Sequence, residues 1–116
     1  MADMPTSVAS PVNGDPFRSF LADEKHLYVA SRALKAMGHP LRLKMLCILA
    51  GIKEISVQDL VDLVGTSQSN ISQHLSILRD KGILASRKDA NKVYYRIDDY
   101  KVVQLMESTR SAFIPA

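Results

Sequence analysis

Two short amphipathic segments, joined by a tight turn that contains a glycine, constrain the fold of this chain more than any other feature. In the first, Ser56 can cap a helix that runs to Val64 and ends at Gly65. In the second, which Ser67 can cap, apolar side chains recur at helical spacing and share one face: Ile71, Leu75 and Leu78. Two helices joined by so tight a turn are typical of a helix-turn-helix.

The segments on either side of this pair predict a mainly α fold with a small β-hairpin. A helical pattern over 17–38 precedes a second helix over 40–51, which is apolar on nearly every side and is therefore expected to be buried. Alternating residues predict two strands, 83–88 and 92–97, and Asp98 or Asp99 can cap a last helix. We expect a winged helix-turn-helix of five helices and a two-stranded wing.

Length and composition indicate how the chain is organised. It has 116 residues, of which 47% are hydrophobic, and this is enough to build one core. Residues 1–16 are rich in proline and small polar side chains, so we expect a flexible N-terminal tail there. The remaining residues, 17–116, are predicted to form a single domain.

Composition also excludes several classes of protein. Cys47 is the only cysteine, which excludes an intrachain disulfide framework and a multi-cysteine zinc site. The start of the chain lacks the pattern of a signal peptide, and no apolar run is long enough to span a membrane. We expect a cytoplasmic protein with no membrane partner.

The second helix of the pair carries polar side chains suited to double-stranded DNA, because the second helix of such a motif lies in the major groove. Gln73, and less directly Gln68 or Asn70, can make the paired amide contacts that recognise adenine. His74 can reach a phosphate or a base, although a histidine beside a core leucine can equally be a packing residue. The contacts predicted on this helix are Ser67, Gln68, Ser69, Asn70, Ser72, Gln73, His74 and, near its end, Arg79.

Positive charge is concentrated on the predicted wing and the helix before it. Residues 67–97 include six basic and two acidic side chains, a net charge of +4, whereas the whole chain carries +3. A basic stripe of this kind suits a polyanion such as DNA. At the hairpin tip, Arg87, Lys88, Asn91 and Lys92 can reach the phosphate backbone or the minor groove. The alternative is an edge hairpin that its charges keep soluble.

The last predicted helix has an apolar stripe for which one small domain offers few partners. Its members are Val102, Leu105, Met106, Thr109 and Phe113. Such stripes usually complete a core. Because the first helix also has an apolar face without an evident partner, we expect the first and last helices to pair across a two-fold axis in a homodimer.

Four segments taken together resemble the ArsR/SmtB family of winged-helix repressors. They are ALKAMGHPLRL at 33–43, SQSNISQHL at 67–75, LRDKGIL at 78–84 and VYYRI at 93–97. The resemblance covers about residues 30–112 and, as an ordered set, is highly specific. It implies a dimer that represses its operator until an inducer weakens DNA binding.

The metal sites of that family do not carry over to this chain. Where the resemblance implies a Cys-x-Cys pair, the chain has Ser56 and Gln58, which cannot replace thiolates for soft metals. At the site that the resemblance implies on the last helix, Asp99 is present, but Lys101, Ala112 and Pro115 fill the other positions. We expect no metal site and no cofactor.

Another branch of the family, which senses oxidants or reactive sulfur through two cysteines, resembles the chain better. Cys47 lies where the resemblance implies the first cysteine, but none lies near Phe113 or Ile114, where it implies the second. A bridge within the chain is therefore impossible, although a lone thiolate can still be oxidised or persulfidated. The alternative, favoured by the apolar neighbours of Cys47, is a buried packing residue.

The sequence therefore predicts a DNA-binding repressor, released by an unidentified signal such as an oxidant or reactive sulfur. The alternative is a winged-helix protein-interaction module that does not bind DNA, which would more often present apolar or acidic residues on the second helix. Enzymatic activity is rejected because Ser72 and His74 point about 200° apart on one helix and cannot form a nucleophile–base pair.

Overall fold

The computed structural model describes residues 15–114, which form six helices and three strands. In chain order these are α1 (Pro16–Ala22), α2 (Glu24–Met37), α3 (Pro40–Gly51), β1 (Ile55–Ser56), α4 (Val57–Val64), α5 (Gln68–Asp80), β2 (Leu84–Asp89), β3 (Lys92–Ile97) and α6 (Tyr100–Phe113). The predicted winged helix-turn-helix is confirmed. The predicted N-terminal tail falls almost wholly outside the described residues, and α1 begins at Pro16.

The described residues fall into two compact units, divided between Arg32 and Ala33. In the first unit, the predicted single helix over 17–38 is wrong, because Asp23 ends α1 and α2 begins at the next residue. The Asp23 carboxylate accepts a hydrogen bond from the backbone N–H of His26 at 3.1 Å. A short acidic side chain that bonds the backbone in this way favours a new helix start over a continuous helix. The count is therefore six helices rather than five.

The second unit has a core to which α3, α4, α5, the sheet and α6 all contribute. Its largest fully buried side chains are Met45, Leu46, Leu60, Ile71, Leu75, Leu78 and Val102. The expectation that α3 is buried on nearly every side is wrong, because Lys44, Cys47 and Ala50 of this helix are exposed. Burial is confined to the side of α3 that carries Met45, Leu46 and Leu49.

The sheet has three antiparallel strands in the order β1-β3-β2, one more than predicted. The additional strand, β1, has only two residues, and it pairs Ile55 with Tyr95 and Ser56 with Tyr94. Two residues are too few for a detectable alternating pattern. This short strand joins the root of the wing to the start of α4, because Ser56 is also the N-cap of α4.

The described helices include none that is both long and apolar enough to cross a membrane.

Candidate nucleic-acid interface

The turn between α4 and α5 is built by the residues that the sequence indicated. Gly65 ends α4 with a φ of 81°, a left-handed conformation that other residues adopt only at a cost. Ser67 then caps α5, its hydroxyl accepting a hydrogen bond from the backbone N–H of Asn70 at 3.2 Å. These two devices fix the direction in which α5 leaves α4.

The N-terminal half of α5 presents its polar side chains outward, while Ile71 and Leu75 are buried beneath them. Four predicted contact residues on or next to this half are exposed: Ser67, Gln68, Ser69 and Gln73. Two others, Asn70 and Ser72, are half-buried. The Asn70 amide donates a hydrogen bond to the Thr66 hydroxyl at 3.3 Å, so part of its capacity is already used within the chain. Arg79, near the end of α5, is exposed.

His74 differs from its neighbours because its ring contacts the chain itself. The ring is half-buried and lies 4.4 Å from the His39 ring, centroid to centroid. His39 is the N-cap of α3, and its Nδ1 accepts a hydrogen bond from the backbone N–H of Leu41 at 3.1 Å. The buried Nδ1 of His74 has no hydrogen-bond partner among the described residues. Burial, followed by the charges of His39 and Arg42, lowers the pKa of His74 below its ordinary value.

The wing is a tight hairpin whose tip is exposed. The strands β2 and β3 are joined by Ala90 and Asn91, and Ala90 has a φ of 55°, in the left-handed region. Lys88, Asn91 and Lys92 are all exposed at or beside this tip. Within the described part of the chain, neither lysine has a carboxylate within ion-pair distance. Both ammonium groups are therefore available to an anionic partner.

Arg87, unlike the two lysines, is already paired with an acidic side chain of the chain itself. Its Nε and Nη2 donate hydrogen bonds to the two carboxylate oxygens of Glu54 at 2.8 and 2.7 Å. Its guanidinium also lies over the Tyr94 ring, 4.6 Å from the centroid. Sequence reasoning did not find Glu54, which lies 33 residues before Arg87 and comes near it only because β1 joins the sheet.

Helix α5 and the wing come together around an open cleft of about 310 Å³. Four predicted contact residues line it, two from α5 (Gln68 and Ser72) and two from the wing (Asn91 and Lys92). The remaining lining comes from the start of α4 and from β3: Ser56, Val57, Gln58, Val93 and Tyr95. The structure thus unites two sets of residues that the sequence indicated separately.

The positions considered for inducer sites have other partners. Ser56 is buried as the N-cap of α4, and the Gln58 amide donates a hydrogen bond to Asp62 at 3.1 Å. Asp99 caps α6. In residues 15–114 no group of three or more histidine, cysteine or acidic side chains is arranged to hold a metal ion. Pro115 lies outside that range.

The interpretation of Cys47 as a buried packing residue is wrong for the chain that the structure describes. Cys47 is a free and exposed cysteine on α3. The apolar run 45–50 suggested burial, but the helix turns this side chain away from Met45, Leu46 and Leu49, which form the core.

Comparison with known proteins gives consistent matches. Residues 39–86 match the family described as "Bacterial regulatory protein, arsR family". Over 86 residues the chain is 37% identical to the HTH-type transcriptional regulator YgaV of Escherichia coli strain K12, covering 74% of this chain and 87% of that protein.

Two solved structures are similar in both fold and sequence. HlyU from Vibrio cholerae N16961 has a TM-score of 0.75 at 36% identity, covering 79% of this chain and 99% of that one. The transcriptional repressor BigR from Xylella fastidiosa has a TM-score of 0.75 at 32% identity, covering 80% of this chain and 94% of that one.

Proposed function

Because the chain belongs to the arsR family of bacterial regulatory proteins, we propose that it is a sequence-specific DNA-binding regulator that represses transcription from its operator. Relatives to which it is similar are named as a regulator and as repressors, and none of these names describes an enzyme. HlyU is named as a transcriptional activator. Repression by this chain is therefore part of the proposal, to be tested separately from DNA binding.

The observation that carries the proposal is the cleft that joins α5 to the wing. Uncharged polar side chains line its α5 side, and Lys92 lies at its wing side. A helix that enters the major groove needs side chains of the first kind to read base edges, and an adjacent cation can bind the phosphate backbone. The alternative of a protein-interaction module is not favoured, because the exposed face of α5 is neither apolar nor acidic.

Within this proposal the residues divide into two roles. Gln73 and Gln68, which are exposed on α5, read bases, while Ser69 and Ser72 bind phosphate or base oxygens. Lys88 and Lys92 neutralise phosphates. His74 takes a supporting role against His39 rather than a contact of its own with DNA.

The proposed DNA-binding unit is a homodimer, since two copies present two recognition helices to a pseudo-palindromic operator. Exposed apolar side chains on the first and last helices support pairing through these elements. In the last helix and its cap, Phe113 and Ile114 are 80% and 60% exposed, and in the first unit Phe17 and Leu21 are 80% and 64% exposed. Because the partner is the bacterial operator, the proposed place of action is the cytoplasm.

Cys47 is the proposed site at which an oxidant or reactive sulfur species releases the repressor. Its exposure supports reaction with small molecules in solution, and the lack of a second cysteine excludes a disulfide within the chain as the product. Alkylation of the native dimer tests this directly. A thiol that does not react under native conditions would remove Cys47 as the sensor.

Two substitutions test the division of roles on the DNA surface. Gln73→Ala removes a base contact. The difference in binding free energy between the preferred base and the other bases at one operator position should therefore fall by about 1–3 kcal/mol. Lys92→Ala removes one phosphate contact from each protomer of the dimer, so it should weaken binding to every duplex and reduce the slope of log K against log salt by about 1.8. Lys44→Ala, an exposed lysine on α3 outside the proposed contacts, is the matched control. An unchanged salt slope in Lys92→Ala would remove the wing from the DNA surface.

A further inference from the structure

Among the described residues, Arg87 is the wing cation with the most partners. In addition to its two hydrogen bonds to Glu54 and its contact with Tyr94, its Nη1 lies 3.7 Å from Oδ2 of Asp89. Two parallel hydrogen bonds from a guanidinium to one carboxylate form a geometrically specific pair, and an aromatic face beneath the cation adds to it. We call Glu54, Arg87 and Tyr94 the wing clamp.

The wing clamp connects all three strands of the sheet. Glu54 immediately precedes β1, Arg87 lies on β2 and Tyr94 lies on β3, directly opposite Arg87 in the register. Side chains alternate along a strand, and Tyr95 is buried, so Tyr94 and Arg87 lie on the sheet face that points away from the core. The clamp therefore ties the hairpin to the segment that leads into the helix-turn-helix.

The clamp also reduces the positive charge on the wing that is available to bind phosphates. The hydrogen bond from Arg87 lowers the pKa of Glu54, and the same bond raises the pKa of Arg87, so both groups remain ionised. A guanidinium paired with this carboxylate, with Asp89 nearby, has little net charge left for a phosphate. In the described part of the wing, Lys88 and Lys92 lack such carboxylate partners.

We propose that Glu54 is a positioning residue for the wing. Its carboxylate holds Arg87 against Tyr94 and neutralises the guanidinium, so that Arg87 does not bind DNA phosphates. The wing then contacts phosphates through its lysines, and its orientation relative to α5 is set by a carboxylate outside the hairpin. This inference rests on the proposed DNA binding. The sequence predicted that Arg87 contacts DNA. In this proposal Arg87 instead belongs to the wing clamp, which orients the lysines that contact DNA.

The first test compares the salt dependence of binding to operator and scrambled duplexes in the wild type, Arg87→Gln, Glu54→Gln and Lys92→Gln. On the scrambled duplex, where binding depends on charge rather than on the exact orientation of the wing, we expect Arg87→Gln to keep the wild-type slope and Lys92→Gln to lower it by about 1.8, or about 0.9 for each protomer of the dimer. Glu54→Gln releases Arg87, so its binding to a scrambled duplex should become tighter and its operator selectivity should fall. A slope that falls as much in Arg87→Gln as in Lys92→Gln would overturn the proposal, and so would unchanged selectivity in Glu54→Gln.

The second test measures, in the absence of DNA, how firmly the clamp holds the wing in place. Amide hydrogen exchange in β2 and β3 should quicken in Glu54→Gln and in Arg87→Gln, and the double variant should be no faster than either single one. The matched control is Glu107→Gln, which breaks the ion pair between Glu107 and Arg110 on α6 and should leave exchange in the wing unchanged. Additive effects in the double variant would contradict a shared clamp.

The two tests also separate this proposal from the function on which it rests. If the wild type failed to distinguish operator from scrambled duplex, the proposed function would fail, while the exchange cycle would still decide whether Glu54 positions the wing. If the wild type bound selectively and Arg87→Gln lowered the salt slope, the wing clamp alone would be rejected.

Discussion

At the residue scale, His74 links the surface of α5 to the packing beneath it. The residue lies one position after the proposed base-reading Gln73, yet its ring contacts the ring of His39, the N-cap of α3, at a tilt of 40°. Its buried Nδ1 has no hydrogen-bond partner in the described chain. A ring held in this way favours the neutral form, because burial disfavours the charged ring and because protonation would place that charge beside His39 and Arg42.

This arrangement predicts that acid destabilises the fold through His74. The folded-state pKa is lowered from 6.5, so the unfolded chain takes up the proton first as the pH falls. Neutral His74 therefore makes its full contribution to the free energy of unfolding above pH 6.5. That contribution is lost as the pH falls through 6.5 toward the lower pKa of the folded state. Urea denaturation at a series of pH values measures the effect.

The matched variants for this titration are His74→Gln and His26→Gln. The first should show a smaller fall in the free energy of unfolding between neutral and mildly acidic pH than the wild type. The second removes an exposed histidine from α2 and leaves His74 in place, so the part of the fall that His74 causes should remain. Equal pH dependence in wild type and His74→Gln would show that another group causes the loss.

Single residues also mark where sequence reasoning succeeded and where it did not. The polar residues of α5 were predictable, because their spacing around Ile71 and Leu75 places them on the outer face. The partner of Arg87 was not, because contact between Glu54 and Arg87 depends on how distant segments pair. Cys47 was assigned to the core from its apolar neighbours, although neighbours in sequence on a helix point in different directions.

At the element scale, the helix-turn-helix was predictable because each boundary has a local chemical cause. Ser56 and Ser67 cap the two helices and Gly65 ends the first, all within one short segment. The break between α1 and α2 was missed because it shows in the structure through the non-helical backbone of Asp23 (ψ 85°) and through the capping bond of its side chain, neither of which has a clear signal in the sequence. The strand β1 was missed because pairing with β3, rather than a pattern of its own, defines it.

The left-handed conformation of Gly65 gives an element-scale prediction. A Cβ added there would have no atom within 4 Å, so the cost of Gly65→Ala comes from the backbone alone. We expect a loss of about 1–2 kcal/mol in the free energy of unfolding, measured by chemical denaturation.

Gly51→Ala is the matched control for that substitution. Gly51 also has no atom within 4 Å of an added Cβ, but it lies at the end of α3 without a positive φ. Alanine there should be neutral or stabilising. Equal effects of the two substitutions would show that the turn does not require the left-handed conformation.

At the scale of the whole molecule, the exposed apolar residues predict an assembly. Phe113 at the end of α6 is 80% exposed, and burying such a side chain contributes about 1.5–3 kcal/mol. Phe113→Ser should therefore raise the dissociation constant of the proposed dimer by roughly tenfold or more, as measured by sedimentation at several concentrations. Leu63→Ser, at an exposed position on α4 outside the predicted interface, should leave it unchanged. Equal dissociation constants for wild type and Phe113→Ser would remove α6 from the interface.

The central claim is that α5 and the wing form one surface that recognises operator DNA. The most direct measurement is a titration of the wild-type protein with a duplex from its own promoter region and with a scrambled duplex, each at two salt concentrations. The account predicts tighter binding to the promoter duplex and weaker binding to both at higher salt, because base contacts select and phosphate contacts release counterions. Equal, weak binding to the two duplexes would contradict it.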